Sequence, residues 1–225
     1  YYRNIKEGQL SQSVYERIKR LEVTPGYRFE HIKKRELEQV ADNFRIIYNK
    51  AWARIPGVKP IDSEHAQNLM KTLKPIIDER LIYFAYFDDE PIGFFIMVPD
   101  LNRIIGRFNG KLNLLNKIRL MFLLKFTKQA DRIFAVIFGV VPEYQGKGIE
   151  SGIIHAFEKG VARGEMKKYN SLELAWMRDF NPVMMRMVEN YVCAQRYKMH
   201  TTYRYLFDRN KEFKRCPRVG IKRNE

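Results

Sequence analysis

Residues 133–164 constrain this chain most. The run Ile133–Val141 is β-branched and aromatic, and punctuation follows it at once, so it reads as a buried strand. Pro-Glu-Tyr-Gln-Gly-Lys-Gly-Ile-Glu comes next as a tight loop with Gly146 and Gly148. Ile149, Ile153, Ile154, Phe157 and Val161 then recur at helical spacing on one apolar face, and Gly164 closes the helix. A buried strand feeding an amphipathic helix through so short a loop requires a helix packed on a sheet. Glycine lets backbone N–H groups converge and a ligand approach without meeting a Cβ. The helix start adds unpaired N–H groups and the positive end of its dipole. Together these make a cradle for a pyrophosphate. The spacing is neither that of a Walker loop nor that of a dinucleotide fingerprint, and taken alone it serves a simple turn as well.

Val-Val-Pro-Glu-Tyr-Gln-Gly-Lys-Gly-Ile at 140–149 resembles motif A of the GNAT (GCN-related N-acetyltransferase) superfamily. That motif runs Arg or Gln, two residues, Gly, one residue, then Gly or Ala. Gln145 and Gly148 match; Glu150 departs at the last position. Asn181, opening a helix after a strand, resembles the start of motif B. The likeness follows element order over residues 28–207 and is motif-grade around 136–154 and 171–191. It is the likeness of a bacterial GNAT-like protein or a C-terminal GNAT domain.

The resemblance implies a mixed α/β (α+β) GNAT fold: a central, twisted, mostly antiparallel sheet with splayed central strands and flanking helices. It implies acetyl-CoA, or another acyl-CoA, as cosubstrate, and no metal. Gly139, Val140 and Val141 would pair with the pantetheine arm; Gln145, Gly146, Lys147, Gly148, Ile149 and Glu150 would hold the pyrophosphate; Asn181 would complete the cofactor site. The implied reaction is N-acyl transfer, most simply of acetyl, to a primary amine on a small molecule or protein by direct attack in a ternary complex.

Transfer from a thioester to an amine needs a polarised carbonyl, a neutral amine and a protonated or tolerated thiolate. A backbone N–H of 139–141 supplies the first. Neutralising a lysine-like amine at pH 7 costs roughly 4–5 kcal/mol, so a base or desolvation is needed. Many family members carry a tyrosine about seven residues after the motif B Asn; that position here is Val188. Tyr191 and Tyr197 are the nearest phenols and stand as acid candidates, Glu173 as the base candidate, with His155 and Glu143 behind it. Glu150 suits a helix N-terminus. Beside a pyrophosphate it repels by roughly 3 kcal/mol per charge pair at 5 Å.

The 225 residues suffice for one large domain, and 45% hydrophobic content with 15 Phe and 13 Tyr can fill a core. The net charge of +15 suits a polyanionic cofactor as well as nucleic acid or an acidic membrane. No nucleic-acid motif accompanies it. Cys193 and Cys216 make no disulfide framework, and neither a signal peptide nor a spanning segment is visible, so the expected compartment is the cytoplasm. The chain opens on Tyr1 rather than Met, the pattern of a piece of something longer.

In chain order, residues 1–27 read as a lead-in helix (Ser11–Leu21) and linker, 28–207 as the acyltransferase domain, and 208–225 as a basic tail. Arg28–Lys33 is a first strand, followed by helices bearing Leu37–Tyr48 and Ala66–Leu73. Trp52 and the 53–62 loop are core or, by the resemblance, acceptor wall. Leu81–Phe87 and Ile92–Val98 form a hairpin about Asp88-Asp89-Glu90, whose carboxylates cannot converge on one ion. Residues 99–132 are a helical insertion. Its Asn113–Phe126 helix is expected over the acceptor cleft, with a membrane-surface helix as the alternative. Ser171–Met177 is a strand, Asn181 caps a helix, and the alternation of 197–207 predicts a closing strand.

Besides the acyltransferase, two readings stay open. One is a GNAT-fold ligand-binding or interaction module without catalysis, suggested by Val188 and Glu150. The other is a tRNA-linked aminoacyl or peptidyl transferase on the same fold.

Overall fold

The computed structural model describes residues 1–7, 10–53, 55, 57–175, 177–179 and 181–214. Trp176, Cys216 and the basic tail from Arg215 onward lie outside the described residues. Among the described residues there are six strands: β1 (Tyr2–Asn4), β2 (Tyr27–His31), β3 (Ile82–Phe87), β4 (Glu90–Pro99), β5 (Arg132–Val140) and β6 (Ser171–Leu174). They form one sheet in the order β1-β6-β5-β4-β3-β2. Every pairing is antiparallel except β5 with β6. The expected hairpin joins β3 to β4 through Asp88 and Asp89, both with positive φ, as a two-residue turn of matching twist requires.

Both faces are covered. On one, α1 (Gln12–Glu22), α6 (Ile149–Ala162) and α7 (Pro182–Asn190) enclose a core that includes Val14, Ile18, Val140, Ile149, Ile153 and Phe157. On the other, α2 (Leu37–Ala51) and α3 (Ser63–Leu73) bury Phe44, Ile47 and Met70 against Phe84 and Phe94. Asp62 caps α3 by accepting the His65 N–H at 2.7 Å. Gly164, with φ of 75°, follows the end of α6.

Residues 1–27 supply an edge strand and a packed helix. β1 pairs with β6, and Arg3 makes an ion pair of 2.6 Å with Glu158 of α6. The closing strand expected over 197–207 does not form. The outer edge of β6 is taken by β1, extended by a bridge between Tyr2 and Gln195, so that edge is closed to 197–207. Its Met199, Tyr203 and Phe207 are about nine-tenths exposed, at 93%, 89% and 91%. The strand read over Ser171–Met177 ends earlier, at Leu174.

Between β4 and β5 lie α4 (Asn102–Ile105) and α5 (Leu114–Phe126). α5 does not cover the expected cleft. Its buried Leu120 and Leu124 close a separate small core with Ile104, Phe108 and Ala130. That core sits beside the start of β5, and the glycine loop follows the other end, eight residues and about 27 Å away along the strand.

Candidate acyl-CoA site

β5 runs beside β6 only from Arg132 to Ala135, and the last bond is Ala175 N–H to the Ala135 carbonyl at 3.0 Å. At that point the register of β4 with β5 jumps from Ile96↔Ile137 to Met97↔Ala135, leaving Val136 unpaired. A bulge of this kind bends its strand and ends pairing. Ile137–Val140 therefore keep their β4 partners, and among the described residues Val136–Val140 have no strand on the other side. Val141 donates its N–H to the Ile92 carbonyl at 2.8 Å. By alternation Gly139 also faces β4, and Val140 and Phe138 turn their N–H and C=O groups to the open side.

The glycine loop meets this edge. Gln145 Nε2 donates to the Val140 carbonyl at 3.0 Å, tying the loop to the strand end and leaving the Val140 N–H on the open side. Gly146 and Gly148 have φ of 76° and 90°, a region that L side chains rarely adopt. Nothing lies within 4 Å of where a Gly146 Cβ would be. Gly148 stands at the N-cap of α6 with no side-chain cap, so the first N–H groups of that helix lack one. A mostly antiparallel mixed sheet whose central strands part at Ala135 is what the motif A resemblance implies.

No family model matches the chain. It is 26% identical over 205 residues to a bacterial ceramide synthase of Caulobacter vibrioides, covering 90% of this chain and 52% of that protein. It is 27% identical over 177 residues to protein YghO of Escherichia coli, covering 76% and 44%. The chain thus spans about half the length of the curated relatives it matches. Similar solved structures include an aminoglycoside acetyltransferase from an uncultured soil metagenomic sample in complex with sisomicin (TM-score 0.49, 11% identity, 80% of this chain and 97% of that one). Another is the aminoglycoside N-acetyltransferase AAC(6')-Iy in complex with CoA (TM-score 0.49, 13% identity, 81% and 99%).

The sequence-expected residues fall into two groups. Gly139, Val140, Val141, Gln145, Gly146, Lys147, Gly148, Ile149 and Glu150 are brought together by the β5–α6 turn. Lys147 is exposed, its Nζ 4.9 Å from the Tyr144 ring centroid. Ile149 is wholly buried in the core. Burial pushes the Glu150 carboxyl above the ordinary range, opposed by its own backbone N–H and by Arg17. Asn181 caps α7, accepting the Met184 N–H at 3.1 Å.

The acid and base candidates are spread out. Tyr191 follows α7 and has the Arg17 guanidinium 4.4 Å from its ring centroid. Val188, where the family's tyrosine would stand, is 1% exposed and belongs to the core. Tyr197 packs at a tilt against Tyr2 of the edge strand, ring centroids 5.4 Å apart. Glu173 contacts Lys198 Nζ at 2.7 Å and Arg132 Nη1 at 2.6 Å. Burial raises its carboxyl, but these two cations outweigh burial and hold it below the ordinary range, which weakens it as a base. His155 sits edge-on to Tyr15 of α1, and burial pushes its imidazole pKa down.

One residue near the cradle escaped the sequence reading. Arg17 reaches the α6 N-terminus from α1, its Cβ 3.6 Å from where a Gly148 Cβ would be. Over a hundred residues separate the two, so no motif links them. A Cβ on Gly139 would come within 2.9 Å of Trp52 Nε1, which sets the indole against the strand that carries the open edge. Trp52 also packs on the α2–α3 core, so the core and wall readings meet in one side chain.

Proposed function

We propose that this chain is an acyl-CoA-dependent N-acyltransferase. The observation that carries the reading is the meeting of the open Val136–Val140 edge with the glycine loop and the uncapped start of α6. In this reading the amide-bearing pantetheine arm pairs with the Phe138 backbone as an added strand would, leaving the Val140 N–H for the thioester. The pyrophosphate sits on the N–H groups of Gly146, Gly148 and Ile149, with the Lys147 side chain beside it.

The amine nitrogen attacks the thioester carbonyl carbon, and the carbonyl oxygen takes up negative charge. In this reading the Val140 N–H donates to that oxygen. The C–S bond then breaks, the nitrogen gives up a proton as the amide forms, and the thiolate takes one up in its place. Tyr191 is the preferred acid, because Tyr197 and Glu173 sit on the β1 side of β6 in aromatic and ionic contacts of their own. Trp52 walls the acceptor side.

A ceramide is an amide of a long-chain amino alcohol and a fatty acid. The similarity to a ceramide synthase therefore favours a lipid amine acceptor and an acyl chain longer than acetyl. A second reading, a CoA-binding module without turnover, draws on the buried Val188 and the carboxyl of Glu150 within the loop.

Calorimetric titration with acetyl-CoA and palmitoyl-CoA tests the cradle. Micromolar binding is expected, lost in Gly148→Glu and weakened about tenfold in exposed Lys147→Glu, which leaves α1 untouched. Absence of binding by the unmutated chain overturns the reading. Binding without amide formation across long-chain and short amines selects the module instead.

A further inference from the structure

α5 is apolar on two opposite sides. Leu120 and Leu124 face the small core, while Leu114, Leu115, Ile118, Phe122 and Phe126 are between 57% and 76% exposed. At about 100° per residue these five fall within about 120° of the helix circumference, centred opposite Leu120. The Phe122 and Phe126 rings lie against each other at 5.2 Å. Among the described residues no element covers them.

The charge around this stripe has one sign. Residues 101–130 contain seven Lys and Arg and no Asp or Glu. Lys111, Lys117, Arg119, Lys125 and Lys128 are all exposed. The flanking acids are engaged locally: Asp100 accepts the Asn102 N–H at 3.0 Å, and Asp131 pairs with Arg103 at 3.2 Å. On the helix wheel Lys117 and Arg119 border the stripe and Lys125 projects from it, where long stems let cationic heads reach out of an apolar layer.

We propose that α5 is an interfacial helix that seats this protein on an anionic bilayer surface. Its apolar stripe enters the headgroup–acyl boundary and its cations meet lipid phosphates. At 13 residues the helix is about 20 Å long, too short to cross a bilayer and suited to lying in its plane. Charge also decides against a second copy as occupant. A two-fold pairing of this face would set the same cations against each other with no acid between them. The inference rests on exposure and charge and is independent of the acyltransferase reading.

The test is cosedimentation of the full chain with vesicles of equal phosphatidylcholine and phosphatidylglycerol, and with phosphatidylcholine alone, at 0.1 M salt. Binding to the anionic vesicles, weakened at 0.5 M salt, is expected. The double substitution Ile118→Glu/Phe122→Glu should lower partitioning by about tenfold or more, and Lys117→Gln/Lys125→Gln should reduce the preference for anionic lipid. All four side chains are exposed, so far-UV circular dichroism should stay unchanged. Equal sedimentation of the Glu variant and the unmutated chain overturns the proposal, as does absence of binding to anionic vesicles. A concentration-dependent dimer dispersed by Ile118→Glu, in a chain that ignores vesicles, assigns the face to a second copy instead.

Discussion

The Phe29 ring occupies the space that a side chain at Gly152 would need: a Cβ there would sit 2.3 Å from Phe29 Cζ and 2.5 Å from Cε1. Glycine inside α6 is what lets that helix lie close on β2. In an exposed helix interior Gly→Ala gains about 1 kcal/mol. Here it must displace a ring that is stacked on Tyr27 and packed on the core, so overpacking decides the sign. Gly152→Ala is expected to destabilise by about 1–3 kcal/mol in chemical denaturation. Gly152→Ala with Phe29→Leu should recover part of that loss. A more stable single variant would show that the ring moves freely.

Arg3 and Glu158 join β1 to α6 with side chains 2% and 15% exposed. Arg3→Met removes one partner and leaves the buried carboxylate without this cation, which costs about 3–5 kcal/mol. Arg3→Met/Glu158→Met should cost markedly less. A double-mutant cycle by urea denaturation measures the difference, and additive losses would show that the pair is not coupled.

Glu150 and Glu173 predict opposite pH effects. The folded carboxyl of Glu150 is raised by burial, so its ionisation disfavours the fold as pH rises through and above the ordinary carboxylate range. Glu150→Gln should therefore gain stability at pH 7 relative to the unmutated chain, with the gain fading toward pH 3. Glu173 is held low because Lys198 and Arg132 outweigh its burial, so its contribution is present above the ordinary range and lost as pH falls. Glu173→Gln should lose stability at pH 7 and converge with the unmutated chain in acid. Thermal melts of both variants from pH 3 to 8 check the signs.

Trp52 and Gly139 provide a test on the acceptor side. Trp52→Ala should lower kcat/KM for the amine about tenfold or more while acyl-CoA affinity stays within about twofold, because the loop of 145–150 is untouched. Gly139→Ala should act in the same direction by displacing the indole. Parallel loss of acyl-CoA binding would place Trp52 in the cofactor site instead.

Much of the fold was legible in local pattern. The β5–loop–α6 unit, the Asp88-Asp89 hairpin and the cap at Asn181 each depend on residues a few positions apart, and the structure forms all of them. The closing strand was misread because alternation at 197–207 records strand propensity but not whether a sheet edge is free. Tyr2–Asn4 had already taken the edge of β6. α5 was read correctly as a helix, but its partner was not legible: apolar side chains on two sides carry no label for which side is buried.

At the candidate site, the sequence by itself determined where backbone N–H groups converge, because positive φ at Gly146 and Gly148 is a local property of the chain. The tertiary structure decided the rest. The bulge at Val136 exists only through the register of β4 against β5, and the open edge only because β6 ends its pairing at Ala135. Arg17 and Trp52 come to the site from elements remote in sequence, by burying apolar surface on opposite faces of the sheet. Glu173 looked like a base in the sequence and is an ion-pair partner in the fold, because Arg132 and Lys198 reach it only once β5, β6 and the segment after α7 have packed together.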